Sequence, residues 1–161
     1  MYKSQEEYET GVLDAAQEYA DEQSTCVKVK VGSIIEIPDL TVYVYGCNHG
    51  VHNCKRKGCR RVMLYGNASK EHRLPSDCDA VHSEIDAISQ AAKCGLKTNG
   101  ATIYVTRYPC ENCARAIVAA GIKKVIYGRK ESISDYTKQI LDSGNVEVIR
   151  RDDWEREDNN E

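Results

Sequence analysis

The stretch ATIYVTRYPCENCARAIVAAGIKKVIYG, residues 101 to 128, carries the clearest fold signal in the chain. An apolar run over 101–106 predicts a strand, and residues 110–120 have apolar positions at helical spacing before a glycine at 121. A second apolar run over 123–128 predicts another strand. This strand–helix–strand unit is typical of α/β proteins whose sheets contain parallel strands.

The rest of the chain extends this pattern on both sides. Helices are predicted over 4–22, 82–94 and 133–144, and strands over 27–37, 40–46 and 146–150. The first two strands are joined by a turn at Pro38-Asp39 and form a hairpin. A hairpin followed by alternating helices and strands predicts a three-layer α/β/α domain with a central mixed sheet of about five strands.

Composition and charge exclude several classes of protein. The chain has 161 residues, enough for one domain with its own core, and we expect residues 1–161 to form a single domain. Its net charge of −3 argues against a dedicated nucleic-acid binder, which usually carries a basic excess. No apolar run is long enough for a membrane span or a signal peptide, so we expect no membrane partner and a cytoplasmic location.

Cysteine and histidine are concentrated in one part of the chain. Thiols stay reduced in the cytoplasm, so the eight cysteines are interpreted as metal ligands or catalytic groups before disulfides. Seven of the twelve cysteines and histidines lie within 47–81, a stretch without helical or strand periodicity. A loop of this length is unusual inside a compact domain. The sequence therefore predicts an inserted loop over about 47–81 that a metal ion helps to order.

Cys110 and Cys113 stand at the start of the helix predicted over 110–120, where both sulfurs can face one point. The helix N-terminus favours their thiolate forms. Such a pair is a redox couple or half of a structural metal clip as readily as part of a catalytic site. A catalytic zinc takes three protein ligands and leaves one position to water. His82, at the start of another predicted helix, is the candidate for the third ligand.

Glu84 lies two residues after His82 and need not bind the metal. A carboxylate there can take a proton from the metal's water and pass it on, which is typically worth roughly a hundred- to ten-thousandfold in rate. Alone, His82 is interpreted as a helix cap or a satisfied surface group, and Glu84 as an acid that suits the first turn. Together, His82-x-Glu84 followed by Pro109-Cys110-x-x-Cys113 is the pattern of zinc-dependent nucleobase deaminases.

Longer segments resemble one family of these enzymes. Between Ser24 and Trp154 the chain is similar to the deoxycytidylate (dCMP) deaminases, especially the phage-type members, in STCVKVKVG (24–32), GCNHG (46–50), HSEIDAISQAAKCG (82–95) and GATIYVTRYPCENCARAIVAAGIKKVIYG (100–128). The resemblance implies the cytidine-deaminase-like version of the α/β/α fold. It also implies zinc-dependent hydrolytic loss of ammonia from C4 of dCMP to give dUMP, which supplies thymidylate synthesis, while Glu84 protonates N3 and then the leaving amine.

The same resemblance implies sites for the nucleotide and its effectors. GCNHG resembles the turn that holds the nucleotide, with Asn48 placed to contact the sugar and His49 standing where the family has glycine. Lys28 lies near the family's basic position and is a candidate for phosphate, and Tyr108 either covers the base or simply packs. The basic run KRKGCRR (55–61) is interpreted as a solvated loop in preference to a nucleotide or effector clamp. Family members are commonly hexamers that bind dCTP and dTTP, and Mg²⁺ is expected to accompany a triphosphate.

A second, structural zinc is also implied by the resemblance. Phage-type relatives hold it with two cysteines and a histidine, whose places here are Cys26, Cys54 and His72. The usual fourth ligand is an acid, and because Ala80 occupies that position, Cys78 two residues earlier is the natural substitute. Other residues compete for this role or could build a further site: Cys47, His49, His52 and Cys59.

Two alternatives stay open on sequence alone. The zinc motif does not separate dCMP from another cytosine nucleotide or nucleoside, guanine, a riboflavin precursor or adenosine in tRNA, although the acidic balance weighs against tRNA. A non-catalytic zinc module for interaction is the alternative from a different class. Glu84 separates that module from an enzyme, because a structural zinc with four protein ligands has no use for the acid.

Overall fold

The structure, a computed structural model, describes residues 2–50, 53–66, 77–129 and 134–154. Its helices are α1 (Gln5–Gln23), α2 (Cys54–Lys57), α3 (Arg60–Tyr65), α4 (Ser83–Lys93), α5 (Glu111–Ala119) and α6 (Asp135–Ser143). Its strands are β1 (Gly32–Ile37), β2 (Val42–Cys47), β3 (His49–Gly50), β4 (Ala80–Val81), β5 (Thr102–Arg107), β6 (Lys124–Arg129) and β7 (Glu147–Arg150). Within these ranges, none of the helices has the length and apolar character that crossing a bilayer requires.

Five strands form the central sheet in the order β2-β1-β5-β6-β7. Strand β1 runs antiparallel to both β2 and β5, while β5, β6 and β7 are parallel to one another. The short strands β3 and β4 form a separate antiparallel pair, and β4 leads directly into α4. The mixed five-stranded sheet confirms the predicted fold class.

Side chains alternate between the two faces of the sheet, and each face carries its own core. On one face, Ile34, Tyr104 and Ile126 pack against Leu13 and Ala16 of α1. The opposite face packs against α4, α5 and α6, and its members include Ile35, Ile103, Val105, Val125, Ala87, Ala114, Ile117 and Leu141. Each of the large side chains among them contributes roughly 1.5–3 kcal/mol by leaving water. Helices therefore cover both faces, as the alternating pattern predicts.

The first strand begins later than the sequence predicts. Strand β1 starts at Gly32, whereas the alternation of Val27, Val29 and Val31 predicts a strand from residue 27. The side chain of Asn48 explains the difference, because its Nδ2 donates to Val29 O at 2.7 Å and its Oδ1 accepts from Val31 N at 2.8 Å. The Asn48 side chain thus occupies two backbone groups that strand pairing would use before Gly32, beside one backbone hydrogen bond from Asn48 N to Val31 O at 3.1 Å. The prediction of a strand from residue 27 is therefore wrong.

Short elements occupy the described part of the predicted loop. Helices α2 and α3 lie within it, and β3 pairs with β4 through His49–Val81 and Gly50–Ala80. Thr25 Oγ1 accepts a hydrogen bond from Gly50 N at 3.0 Å, which ties this pair to the segment after α1. Helices this short carry no periodic signal, so the sequence does not reveal them. The segments 51–52 and 67–76 lie outside the described residues.

Gly46 of β2 marks a close approach between the sheet and α4. A Cβ there would lie 2.4 Å from Ala87 N and 2.4 Å from Ser83 O, which are backbone atoms of the helix. We expect Gly46→Ala to lower the free energy of unfolding by about 1–3 kcal/mol and the Tm by roughly 2–12 °C. Gly11→Ala is the control, because the nearest atoms belong to the flexible side chain of Tyr2 and alanine favours a helix. Thermal denaturation measures both, and an unchanged Tm for Gly46→Ala would contradict this packing.

Candidate metal centre

The three predicted catalytic ligands come from two strand–helix junctions. His82 directly precedes α4 and Cys110 directly precedes α5, both with extended backbone, and Cys113 lies in the first turn of α5. His82 Nδ1 is 3.5 Å from Cys110 Sγ and 3.5 Å from Cys113 Sγ. The three donor atoms all lie within 4.8 Å of one another. The structure therefore brings together the residues that the sequence motif names.

These distances suit a zinc ion. Zn–N bonds of about 2.0–2.1 Å and Zn–S bonds of about 2.3 Å at tetrahedral angles put nitrogen and sulfur about 3.6 Å apart. The nitrogen–sulfur distances of 3.5 Å agree with this geometry. One nitrogen and two sulfurs form a donor set that catalytic zinc sites use, with the fourth position left to water or substrate. His82 and Cys110 are exposed while Cys113 is buried, so the site is open on one side.

Hydrogen bonds among these side chains prepare a thiolate. The pKa of Cys110 is lowered to about 3, first by the hydrogen bond from Cys113, against the effect of partial desolvation, and also by His82. The same hydrogen bond, followed by burial, raises the pKa of the Cys113 thiol. The hydrogen bond with Cys110 raises the pKa of His82, and partial desolvation of the ring opposes that rise. Cys110 is thus held as a thiolate, the form of cysteine that binds zinc.

Glu84 lies next to this set in a buried position. Only 4% of the residue is exposed, and this burial raises the pKa of its carboxyl, while its own backbone N–H and the charge of His82 oppose the rise. Ser83 Oγ donates to Glu84 Oε2 at 3.1 Å and shares a 2.7 Å hydrogen bond with Ser33 Oγ of β1. The sheet thus helps to orient the carboxyl that the motif predicts as the proton carrier.

The sequence motif does not point to a second buried acid, Asp86. Its Oδ2 accepts a hydrogen bond from Cys47 N at 3.0 Å, and its Oδ1 lies 3.2 Å from His49 Nε2. Asp86 thereby joins β2 and β3 to the helix that follows His82. The spacing of four residues from His82 is the signal that places Asp86 on nearly the same side of the helix. In the described part of the chain Cys47 and His49 belong to no compact metal-ligand group.

The predicted substrate-binding residues lie in three different settings. The side chain of Asn48 accepts from Ser24 Oγ at 2.8 Å in addition to holding the backbone before β1. Lys28 is half-buried in the irregular segment before β1. The ring of Tyr108 packs edge-on against Tyr127 at 4.9 Å and lines a cavity of about 370 Å³ together with Cys110. Tyr108 therefore lies beside the candidate metal centre, and Asn48 has a structural task.

The predicted second zinc site corresponds to a group of thiols around Cys54. The pKa of Cys54 is raised first by burial and then by the charges of Cys59, Cys26 and Cys78, so these groups lie near it. His72 lies outside the described residues. Three of the four predicted ligands, Cys26, Cys54 and Cys78, are therefore near one another. Cys59, which the sequence analysis names only as a competing ligand, is also near Cys54. Within the described ranges these sulfurs are less closely grouped than the donor atoms of the metal centre.

Comparison with known proteins supplies the family. A model of the MafB19-like deaminase family matches residues 9–152. The deoxycytidylate deaminase of Mycobacterium phage D29 is 32% identical over 128 residues, which cover 78% of this chain and 94% of that protein. The chain therefore belongs to the MafB19-like deaminase family. Its predicted resemblance to the phage-type dCMP deaminases is confirmed.

Other relatives are matched over less of their own length. ComE operon protein 2 of Bacillus subtilis is 34% identical over 130 residues, covering 78% of this chain and 62% of that protein. The deoxycytidylate deaminase of Enterobacteria phage T2 is 46% identical over 63 residues, which cover 37% of this chain and 34% of that protein. The chain thus spans less than two thirds of both. The crystal structure of dCMP deaminase from cyanophage S-TIM5 in complex with dCMP and dUMP has a TM-score of 0.64 at 22% identity, covers 93% of this chain and 98% of that chain, and confirms the fold.

Proposed function

We propose that this protein is a zinc-dependent enzyme that removes ammonia from C4 of dCMP by hydrolysis and releases dUMP. The observation that carries the proposal is the convergence of His82, Cys110 and Cys113 at distances suited to zinc, beside the buried Glu84. Membership of a deaminase family supports the reaction class. Relatives that carry the name deoxycytidylate deaminase support the substrate.

The proposed reaction needs a nucleophile and a proton carrier. Bound zinc would lower the pKa of a water molecule to about 7 and so supply the nucleophile at neutral pH. Glu84 takes the proton of the attacking water and passes it to N3 of the base. It then moves the proton of the new C4 hydroxyl to the leaving amine. Because burial raises the pKa of this carboxyl, Glu84 can hold each proton between the two transfers.

Three residues are proposed to position the nucleotide. Tyr108 lies beside Cys110 in the lining of the same cavity, which supports a contact with the base. Asn48 is proposed to contact the sugar, on the strength of the turn that it shares with the family. Lys28 is proposed to contact the phosphate, because a monophosphate needs a cation and Lys28 lies near the family's basic position.

A second, structural zinc is proposed at Cys26, Cys54, His72 and Cys78. The position of Cys26 and Cys78 near Cys54 supports it, and Cys59 is a further donor at the same place. A metal there would contribute folding free energy to the inserted segment, because a preformed site rarely exists in an unfolded chain.

The properties of the whole protein belong to the same proposal and rest on the family resemblance. Residues 1–161 would form a single deaminase domain, six copies would assemble, and the enzyme would act in the cytoplasm to supply dUMP. dCTP and dTTP would act as effectors, with Mg²⁺ bound to the triphosphate. His49 stands where the family has glycine in the nucleotide turn, so effector binding is the property to measure first.

A substrate screen tests the proposed function. The zinc-loaded protein is incubated with dCMP, CMP, dCTP and deoxycytidine, with and without added dCTP as effector, and deamination is followed by the loss of cytosine absorbance. We expect dCMP to give the highest kcat/KM. Preference for deoxycytidine would contradict recognition of the phosphate, and absence of turnover on all four would contradict the reaction.

A further inference from the structure

We propose that Ser33 of β1, acting through Ser83, holds one oxygen of the Glu84 carboxyl and leaves the other, Oε1, as the atom that carries protons. The inference rests on the proposed function, because it assigns the two oxygens of the acid in that reaction. It also gives Ser33, a residue of the central sheet that the sequence motif does not include, a positioning role.

The contact between Ser33 and Ser83 depends on the close approach of α4 to the sheet. Ser33 pairs with Gly46 of β2 on one side and with Val105 of β5 on the other, so two neighbouring strands fix its backbone. A Cβ at Gly46 would lie 2.4 Å from Ser83 O, so the missing side chain lets the start of α4 pack directly on the sheet. The hydroxyls of Ser33 and Ser83 consequently meet at 2.7 Å.

The two hydrogen bonds of Ser83 have a defined direction. A serine hydroxyl has a single hydrogen to donate, and the hydrogen of Ser83 is directed at Glu84 Oε2 at 3.1 Å. Ser33 must therefore be the donor in the 2.7 Å bond to Ser83. Hydrogen bonds in series polarise one another, so the Ser33 hydroxyl strengthens the donation from Ser83 to the carboxyl.

This arrangement distinguishes the two oxygens of Glu84. Oε2 accepts the hydrogen of Ser83, and a proton placed on Oε2 would oppose that hydrogen and weaken the bond. Oε1 is therefore the oxygen that takes the proton of the attacking water and gives it to N3 of the base. The same Oε1 then takes the proton of the new C4 hydroxyl and gives it to the leaving amine, so the carboxyl ends each cycle ionised.

Burial makes the two serine hydroxyls hard to replace. Ser33 and Ser83 are 0% exposed and Glu84 is 4% exposed, so bulk water has little access to the carboxyl from this side. Without the hydroxyls the carboxyl is free to turn, and a misplacement of about 1 Å can cost about a hundredfold in rate. A pair of serines that served packing alone would affect stability but not the chemical step.

The test compares zinc-loaded Ser83→Ala and Ser33→Ala with the parent protein. We expect kcat for dCMP to fall roughly ten- to a hundredfold in Ser83→Ala, which loses a hydrogen bond to a charged group. Ser33→Ala loses a hydrogen bond between neutral groups, so a fall of about three- to tenfold is expected. KM and zinc content should stay unchanged in both, because neither serine is assigned to the nucleotide or to the metal.

Thr106→Val is the matched control for lost stability. Thr106 is also 0% exposed, and its Oγ1 accepts a hydrogen bond from Gly32 N at 3.1 Å, next to Ser33. It lies two residues after Tyr104 and therefore on the side of the sheet that faces α1, away from α4 and Glu84. Because Gly32 N loses its acceptor, we expect this variant to lower the Tm while keeping the kcat of the parent protein.

Binding of two nucleotides gives a second readout without turnover. dUMP is the product, whereas a nucleotide with a hydroxyl on a saturated C4 resembles the tetrahedral intermediate and contacts the oxygen that carries protons. Titration calorimetry should show roughly ten- to a hundredfold weaker binding of this analogue to Ser83→Ala, with unchanged binding of dUMP.

Several results would overturn the assignment. A loss of kcat that follows the fall in Tm across all three variants, Thr106→Val included, would leave the serines a purely structural role. If Ser83→Ala does not fold, Ser33→Ala decides: a lower kcat at unchanged KM supports the proposal, and an unchanged kcat contradicts it. A parent protein that turns over no cytosine substrate refutes the proposed function, whereas an active parent whose kcat survives in Ser83→Ala refutes only the positioning role.

Discussion

Glu84→Ala is expected to lower kcat for dCMP by roughly a hundred- to ten-thousandfold, the range for loss of a general acid–base. The zinc should remain, because Glu84 is not among the three residues whose donor atoms converge. The carboxyl is buried and oriented by Ser83, so water cannot easily replace it as proton carrier. Turnover from the loss of cytosine absorbance and zinc content from atomic absorption, measured on the same sample, check both parts.

Two further variants make this result specific. Glu84→Gln keeps the size of the side chain and an acceptor for Ser83 but cannot carry a proton, so the same loss is expected. Ser89→Ala is the control on the same helix, because Ser89 is exposed and its hydroxyl donates to the helix backbone at Ile85 O. Unchanged turnover in Glu84→Ala with zinc retained would remove Glu84 from the mechanism.

Cys113→Ala is expected to remove the catalytic zinc and reduce deamination below detection. Cys113 is 1% exposed and supplies one of the three donors, so its loss leaves two protein ligands. Without the metal, the pKa of the attacking water stays far above neutral, so hydroxide is scarce at neutral pH. Zinc per chain should fall by about one equivalent, measured after dialysis against a weak chelator. Undiminished zinc in this variant would contradict the proposed ligand set.

Matched cysteine variants separate the two metal sites. Cys94→Ala is the control, because Cys94 is exposed at the end of α4 and should change neither zinc content nor activity. Cys54→Ala should remove the other equivalent of zinc and lower the Tm, since that metal is proposed to stabilise the inserted segment. A parent protein with a single zinc, lost in Cys113→Ala and kept in Cys54→Ala, would leave the second site without support.

The sheet could be predicted from sequence where its strands are buried on both faces. Val105 and Val125 belong to continuous apolar runs and are fully buried in the parallel half of the sheet. The start of β1 could not be predicted, because the group that competes with strand pairing is the side chain of Asn48, 17 positions after Val31. Alternation along a segment reveals which side chains could share a face, but not which partner satisfies the backbone.

In the candidate site, too, the sequence predicts residues that belong to a local motif but not residues whose role depends on contacts with distant segments. The motif residues could be predicted, because the spacing within HSE and PCENC already implies two helix starts. Asp86 could not, because its setting depends on contacts with other segments. It matters through its contacts with Cys47 and His49.

The meeting of His82 and Cys110 also brings together the amino ends of α4 and α5. Each helix behaves as a dipole with a partial positive charge at that end, and its attraction for a nearby negative charge is worth about 0.3–1 kcal/mol. In the proposed reaction, attack on a cytosine ring would place electron density on the pyrimidine at this point. Two backbone dipoles would then favour the transition state over the resting substrate. Because these dipoles belong to the main chain, we expect single side-chain replacements to leave this contribution in place.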